Sequence, residues 1–254
     1  MQFKNAIVRI PCKNMVEGLS SVGLGKPDHK LALKQHGNYV EALQECELDV
    51  RVLPADEAYP DSVFVEDTAL LTPGLAIIAN PGAASRQGEI PSMEETVRTF
   101  YDHVEYIQAP GTLEAGDVMM AGSHYFIGIS ERTNADGANQ LISILEKHGM
   151  SGSVVEISGM LHLKSGVSYL ENNNMLMIEP LMHHQAFHAY QQITVPGKES
   201  YAANSVWIND TVLVPSGYPE TMKKIQDAGY ETIVLDMSEF RKLDGGLSCL
   251  SLRF

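Results

Sequence analysis

Cys249 stands five residues from the end of the 254-residue chain, in the string GGLSCLSLRF, and is the side chain best suited to covalent chemistry. Gly245 and Gly246 let the backbone fold closely around a bound group, whereas a cysteine meant only for packing usually sits inside an apolar run. A thiol attacks as the thiolate; with an ordinary pKa of about 8.5, only a small fraction is ionised at neutral pH. A second group must therefore help. His162, in LHLKSG, offers an imidazole that shuttles protons near neutrality. Glu114, in GTLEAGD, is a carboxylate of the kind that fixes such a ring's tautomer. General acid–base catalysis by a placed histidine is worth roughly 10²- to 10⁴-fold. Taken singly, Glu114 also reads as a solvated turn acid and His162 as a surface histidine.

Three more acids, Asp61, Glu66 and Asp67, fall within seven residues in PDSVFVED. Strand alternation there puts Val63, Val65 and Asp67 on one face and Glu66 on the other. Such carboxylates suit bidentate bonding to a planar guanidinium and equally a hard metal held through oxygen. Arg86 in ASRQGE and Arg132 in ISERTN stand where positive charge is scarce and suit a carboxylate clamp. His183, His184 and His188 include an i, i+4 pair, but with no matching acid or thiol beside them they read as a surface helix. The glycine-rich residues 18–28, GLSSVGLGKPD, lack the ending of a phosphate loop and read as a mobile flap hinged at Gly18, Gly23 and Gly25. No nucleotide or metal motif emerges.

Groups so far apart in sequence need a fold that gathers them. Short β-rich runs at 6–10, 50–53, 62–71, 76–79, 104–107, 118–120 and 125–129 alternate with helical periodicity at 30–44, 93–100, 135–148 and 220–228. The third helix opens after Thr133-Asn134 and stops before Gly149. Aligned, the segments repeat as strand, turn, strand, helix, strand, then a polar junction. Subtracting residue numbers, the junctions at Asp67, Glu114, His162, Asn204 and Cys249 lie 47, 48, 42 and 45 residues apart. Five units of this kind fill the chain. A unit with two strands, a helix and a strand cannot hide its own apolar face, so the units are expected to pack around a common axis, helices outside, with the junctions converging.

Composition bounds the rest. A net charge of −14 excludes phosphate-backbone binding, which needs clustered Lys and Arg. Cys12, Cys46 and Cys249 form an odd set without a C-x-x-C pair, so a reducing, cytoplasmic setting is expected rather than a disulfide framework. The start, MQFKNAIVRIP, is too weakly apolar for a signal peptide, and no segment reaches membrane-spanning length. Asn209-Asp210-Thr211 then matches the glycosylation triplet by chance.

In order along the chain, GLGKPD, PDSVFVED, GTLEAGD, LHLKSG and GGLSCLSLRF resemble the dimethylarginine dimethylaminohydrolases of the guanidino-group-modifying superfamily, nearly end to end. ISERTNADGA and ESYAANSVWIND add to the likeness. The resemblance implies an α/β fold, a five-bladed α/β propeller of ββαβ modules with a central active site, forming one catalytic domain over residues 1–254 with no metal or organic cofactor. It implies that Cys249 attacks the guanidinium carbon of Nω,Nω-dimethyl-L-arginine or Nω-methyl-L-arginine, through a covalent amidino thioether, to give L-citrulline and dimethylamine or methylamine. His162 would protonate the leaving amine and then activate water, with Glu114 orienting it. Glu66 and Asp67 would hold the guanidinium. Asp61 with backbone groups of Leu19 and Leu243 would meet the α-amino end, and Arg86 and Arg132 the α-carboxylate. Arginine deiminases carry an added helical domain for which this length leaves no room. Hydrolysis or deimination of arginine or Nω-hydroxyarginine is the second reading, and a non-catalytic cationic amino-acid-binding protein the third. A homodimer would be usual for bacterial relatives, although no heptad or apolar stripe in the sequence derives it.

Overall fold

A parallel strand pair needs a crossover long enough to return the chain to the same edge, whereas an antiparallel pair needs only a tight turn. Both kinds of pair recur five times in this computed structural model, which describes residues 2–254. The chain begins with β1 (Asn5–Arg9), α1 (His29–Glu45) and β2 (Asp49–Leu53). Next come β3 (Ala69–Thr72), β4 (Leu75–Ile78), α2 (Ile90–Val97) and β5 (Val104–Tyr106), then β6 (Val118–Ala121), β7 (His124–Ile129), α3 (Ala135–Lys147) and β8 (Ser151–Glu156). The fourth unit holds β9 (Val167–Tyr169), β10 (Asn174–Ile178), α4 (Glu179–Met182) and β11 (Gln191–Val195). The last stretch holds β12 (Val206–Ile208), β13 (Thr211–Pro215), α5 (Pro219–Asp227), β14 (Glu231–Leu235), α6 (Ser238–Arg241) and β15 (Leu252–Arg253).

The five three-stranded sheets share one grammar, an antiparallel pair extended by a parallel third strand. One sheet is split between the chain ends. β15 pairs antiparallel with β1, Ile7 opposite Leu252, and β1 pairs in parallel with β2. The C-terminal strand thus closes the ring of a five-bladed α/β propeller, as the repeat intervals predict.

The longer helices turn an apolar stripe toward the sheets. α3 buries Ala138, Leu141, Ile144 and Leu145, the 3–4 spacing of an amphipathic helix, and Asn134 caps it by accepting from the Gly137 N–H at 2.8 Å. β4 is buried at every position, as expected for a strand covered on both faces. In α1, the fully buried Tyr39 donates to the Leu247 carbonyl at 2.8 Å and lies 2.7 Å from Ser251 Oγ, so its hydroxyl ties the outer helix to the loop that carries Cys249. Asn209 bonds Phe3 and the Cys46 carbonyl through its side-chain amide, a structural duty for the glycosylation-like triplet.

Two expectations change. The strand predicted over 62–71 is a strand only at β3, because Val65–Thr68 coils into a 3₁₀ turn. The histidine segment forms only α4 and the 3₁₀ turn Gln185–Phe187, with Phe187 buried and His183 and His188 exposed. Among the described residues no helix is long and apolar enough to cross a membrane.

Candidate active site

Just ahead of the antiparallel edge strand of each sheet, β3, β6, β9, β12 and β15, the chain makes a 3₁₀ turn, at Val65–Thr68, Ala115–Asp117, Leu163–Ser165, Gly197–Ala203 and Ser248–Leu250. Near three residues per turn, such a segment fans consecutive side chains about 120° apart instead of alternating them. Hence Glu66 and Asp67, on opposite faces of an imagined strand, are both buried at the axis, each 3% exposed. Glu114 and His162 are extended residues opening their turns, Asn204 closes the fourth, and Cys249 lies within the fifth.

His162 Nε2 donates to Glu114 Oε2 at 2.9 Å, while Nδ1 lies 3.9 Å from Asp67 Oδ1. Burial opposes charge on this ring, but Asp67, Glu114 and Asp117 outweigh it and lift the imidazole to about 9. Burial likewise works against the Glu114 carboxylate, yet His162 and Arg86 pull its pKa down. Gly116 makes the close approach possible: a Cβ there would fall 2.6 Å from His162 Nδ1 and 2.7 Å from Asp67 Oδ1, and its N–H donates to Asp67 at 3.0 Å.

Cys249 lines a pocket of about 70 Å³ with Glu66, Asp67, His162, Lys164 and Asn204. Its Sγ accepts from the Gly246 N–H at 3.4 Å. Burial, then Glu66 and Asp67, push the thiol up to about 12, against the opposing pull of that N–H and Lys164. Glu66 accepts from Lys164 Nζ at 2.7 Å and Ser248 Oγ at 2.7 Å, with Arg253 at 3.4 Å. Both acids therefore keep a fixed orientation while still facing the pocket.

A wider cleft of about 780 Å³ opens beyond, sharing His162 and Asp67 with the pocket and lined also by Leu19, Asp61, Arg86, Glu114, Arg132 and Leu243. Asp61 Oδ1 accepts from the Leu19 N–H at 3.0 Å, and burial raises its pKa. Ser20 donates to the Lys242 carbonyl at 2.6 Å and the Ser21 N–H to Asp244 at 2.5 Å, so residues 18–28 are fastened across the rim. The two arginines differ. Arg132 is 20% exposed to the cleft, its Nη1 3.5 Å from Glu114, whereas Arg86 is buried in a fork with Glu89 at 2.8–3.0 Å and also pairs with Asp67. All ten residues singled out in the sequence meet in these two connected spaces.

Lys164, Ser248, Asp117 and Glu89 escaped sequence reasoning. Asp117 had a signal, lying in the same GTLEAGD string as Glu114; it anchors the Leu163 N–H at 2.9 Å and Ser130 Oγ at 2.6 Å, so it holds the turn that presents His162. Asp67, Glu114 and His162 offer converging donor atoms, a geometry that elsewhere takes a metal. Here Asp67 already serves Arg86 and Gly116, Glu114 serves His162 and the Ala83 N–H at 3.0 Å, and two guanidinium groups stand against the trio, which is a setting that holds protons in preference to a second cation.

A half-buried thiol, an imidazole–carboxylate pair and a carboxylate floor at the axis of a five-bladed propeller define the class of guanidino-group-modifying proteins. The model of the family described as N,N dimethylarginine dimethylhydrolase, eukaryotic, matches residues 25–181. The N(G),N(G)-dimethylarginine dimethylaminohydrolase of Pseudomonas aeruginosa is 54% identical over 99% of this chain and 100% of its own, and that of Streptomyces coelicolor 37% identical over 100% and 98%. The Pseudomonas protein has been solved as a C249S mutant complexed with citrulline; the match has a TM-score of 0.99, 54% identity and complete coverage of both chains. A dimethylarginine dimethylaminohydrolase structure described as an H162G adduct with S-methyl-L-thiocitrulline matches with a TM-score of 0.98, 54% identity and the same coverage. The chain belongs to the dimethylarginine dimethylaminohydrolase family.

Proposed function

We propose that this chain hydrolyses Nω,Nω-dimethyl-L-arginine and Nω-methyl-L-arginine to L-citrulline and the corresponding amine, with Cys249 as nucleophile. The observation that carries the assignment is the shape of the charge: an acid-floored pocket holding Cys249 and His162, continuous with a cleft bearing Asp61 and Arg132. That is the complement of a molecule with a guanidinium at one end and an amino acid at the other. The citrulline and thiocitrulline complexes of the relatives support it.

A guanidinium is resonance-stabilised and a poor electrophile until its charge and plane are fixed. Glu66 and Asp67 fix both. Cys249 then releases its thiol proton to solvent, its sulfur forms a bond to the guanidinium carbon, and the C–N bond to the methylated nitrogen breaks as that nitrogen takes a proton from His162 and leaves as dimethylamine or methylamine. The amidino group now sits on sulfur. Water attacks the same carbon while His162 takes its proton; the C–S bond breaks, giving citrulline and the thiol. Glu114 keeps Nε2 occupied, so Nδ1 is the atom that gives and takes the proton. At the other end Asp61 Oδ2 receives the α-amino group with the backbone of Leu19 and Leu243, and Arg132 takes the α-carboxylate, with Arg86 behind it stiffening Asp67.

The test is the amine released. Citrulline should appear with equimolar dimethylamine or methylamine from the methylated arginines, and Cys249→Ser should lose turnover by about 10⁴-fold or more while still binding citrulline. Ammonia released from arginine or hydroxyarginine in preference to methylated amines would move the assignment to a deiminase, and retained turnover in Cys249→Ser would remove the nucleophile.

We infer also that the chain works as one catalytic domain, since the pairing of β15 with β1 closes a single ring. Three cysteines without a disulfide suit the cytoplasm. A homodimer is the assembly expected from the family resemblance, and a sedimentation mass of 27.8 kDa would exclude it.

A further inference from the structure

Four of the five junction residues already carry a role, and the fourth junction in chain order, Asn204, carries none. It is 6% exposed, and its amide works in three directions. Nδ2 donates to the Lys164 carbonyl at 2.9 Å and to Ser248 Oγ at 3.0 Å, while Oδ1 accepts from the Ser248 N–H at 2.9 Å. A serine hydroxyl owns one proton and two lone pairs. With one lone pair taken by Asn204, the Ser248 proton turns to Glu66 Oε2, 2.7 Å away. The amide thus sets the hydroxyl, and the hydroxyl sets a carboxylate that floors the pocket.

The same amide braces the nucleophile loop at two points just ahead of Cys249. The Ser248 N–H that it accepts belongs to the turn Ser248–Leu250, and two residues earlier Gly246 lies so close that a Cβ there would fall 2.5 Å from Asn204 Cγ and Oδ1. Gly246 is also the residue whose N–H reaches the Cys249 sulfur. Through the Lys164 carbonyl the brace extends to the turn that follows His162.

We propose that Asn204 is a positioning residue of the reaction: through Ser248 and the packing of Gly246 it fixes the Cys249 sulfur relative to the Glu66 carboxylate, and so the line along which sulfur meets the guanidinium carbon. The proposal rests on Cys249 being the nucleophile. A residue that only supported the fold would lower stability and slow every reaction of the thiol alike. A positioning residue affects reaction with a planar cation held by Glu66 more than reaction with a neutral reagent.

The experiment compares the rates at which a haloacetamidine, a planar cation, and iodoacetamide, a neutral reagent, alkylate Cys249 at one pH, with melting temperature and steady-state kinetics alongside. In Asn204→Ala the amidine-to-amide rate ratio and kcat should fall by up to about 100-fold, the cost of a misplacement near 1 Å, with KM changing less. Gly246→Ala, which keeps the amide but displaces it, should reproduce the fall. In the double variant the methyl has room, so the ratio should be no lower than in Asn204→Ala alone. An unchanged ratio in Asn204→Ala, or independent multiplicative losses in the double variant, overturns the proposal. Should Asn204→Ala not fold, Gly246→Ala decides, and an unchanged ratio there is the overturning result. A parent protein labelled no faster by the amidine than by the amide would instead overturn the nucleophile reading itself.

Discussion

Cys249 and His162 line one pocket, and the same acid acts on both. Asp67 raises the imidazole pKa, where its charge and that of Glu114 overcome burial, and it raises the thiol pKa, where its charge and that of Glu66 add to burial. One wall stabilises a cation and the other opposes an anion. Thiolate and imidazolium are therefore not both ready in the empty pocket: the ring holds its proton and so does the sulfur. Lys164, paired with Glu66, offsets the acids' effect on the thiol only in part. A guanidinium brings further positive charge, cancels the rest of that effect and makes the nucleophile only where an electrophile is already in place.

The sharpest way to break the contrast is to remove the cationic wall. His162→Ala should lower turnover by roughly 10²- to 10⁴-fold, because both the leaving amine and the attacking water lose their proton carrier. If the guanidinium rather than the histidine ionises sulfur, the variant should still form the covalent adduct from an analogue whose leaving group needs no protonation. Mass spectrometry reads this; absence of the adduct would refute ionisation by the guanidinium, and turnover close to the parent's would refute His162 as the proton carrier. A smaller effect tests the opposite wall. Ultraviolet thiolate absorbance should appear at lower pH when an arginine-like cation binds, by at least about one pKa unit or about 1.4 kcal/mol, and should stay put with neutral citrulline. Equal responses to the two ligands would show that charge is not the cause.

This arrangement was partly legible in the sequence, and the division is physical. The junction intervals announced five units, and Thr133-Asn134 announced the start of α3, because repeats and caps are local signals. Glu66 and Asp67 were found by residue type but misplaced by periodicity: four residues of 3₁₀ turn at the foot of β3 look like the start of that strand. Lys164 and Ser248 were missed because their partner Glu66 is 98 and 182 residues away, distances at which no local pattern reports contact. Asn204 appeared only as a number in the repeat. The buried fork of Arg86 with Glu89 spans three residues yet was hidden too, since an isolated arginine near an acid is a common surface pairing until burial distinguishes it.

The smallest effect should be seen without any substrate. A histidine whose folded pKa of about 9 exceeds its ordinary value of about 6.5 contributes stability that is complete below 6.5 and disappears as pH climbs through 9, because across that window the folded state binds the extra proton. His36, buried and pushed down to about 4, acts below 6.5, whereas the thiols of Cys249, pushed up to about 12, and Cys46, pushed up to about 11, add to the fall from the ordinary thiol value of about 8.5 upward, so the histidine is read below that value. Urea unfolding of the empty protein should therefore show stability falling by on the order of 1–2 kcal/mol between pH 6.5 and 8. Glu114→Gln leaves an oxygen for Nε2 but removes one of the charges that hold the imidazolium, so the decline should become shallower. The same slope in parent and variant would mean that Glu114 orients the ring without keeping its proton, and the contrast between the two walls would then rest on Asp67 alone.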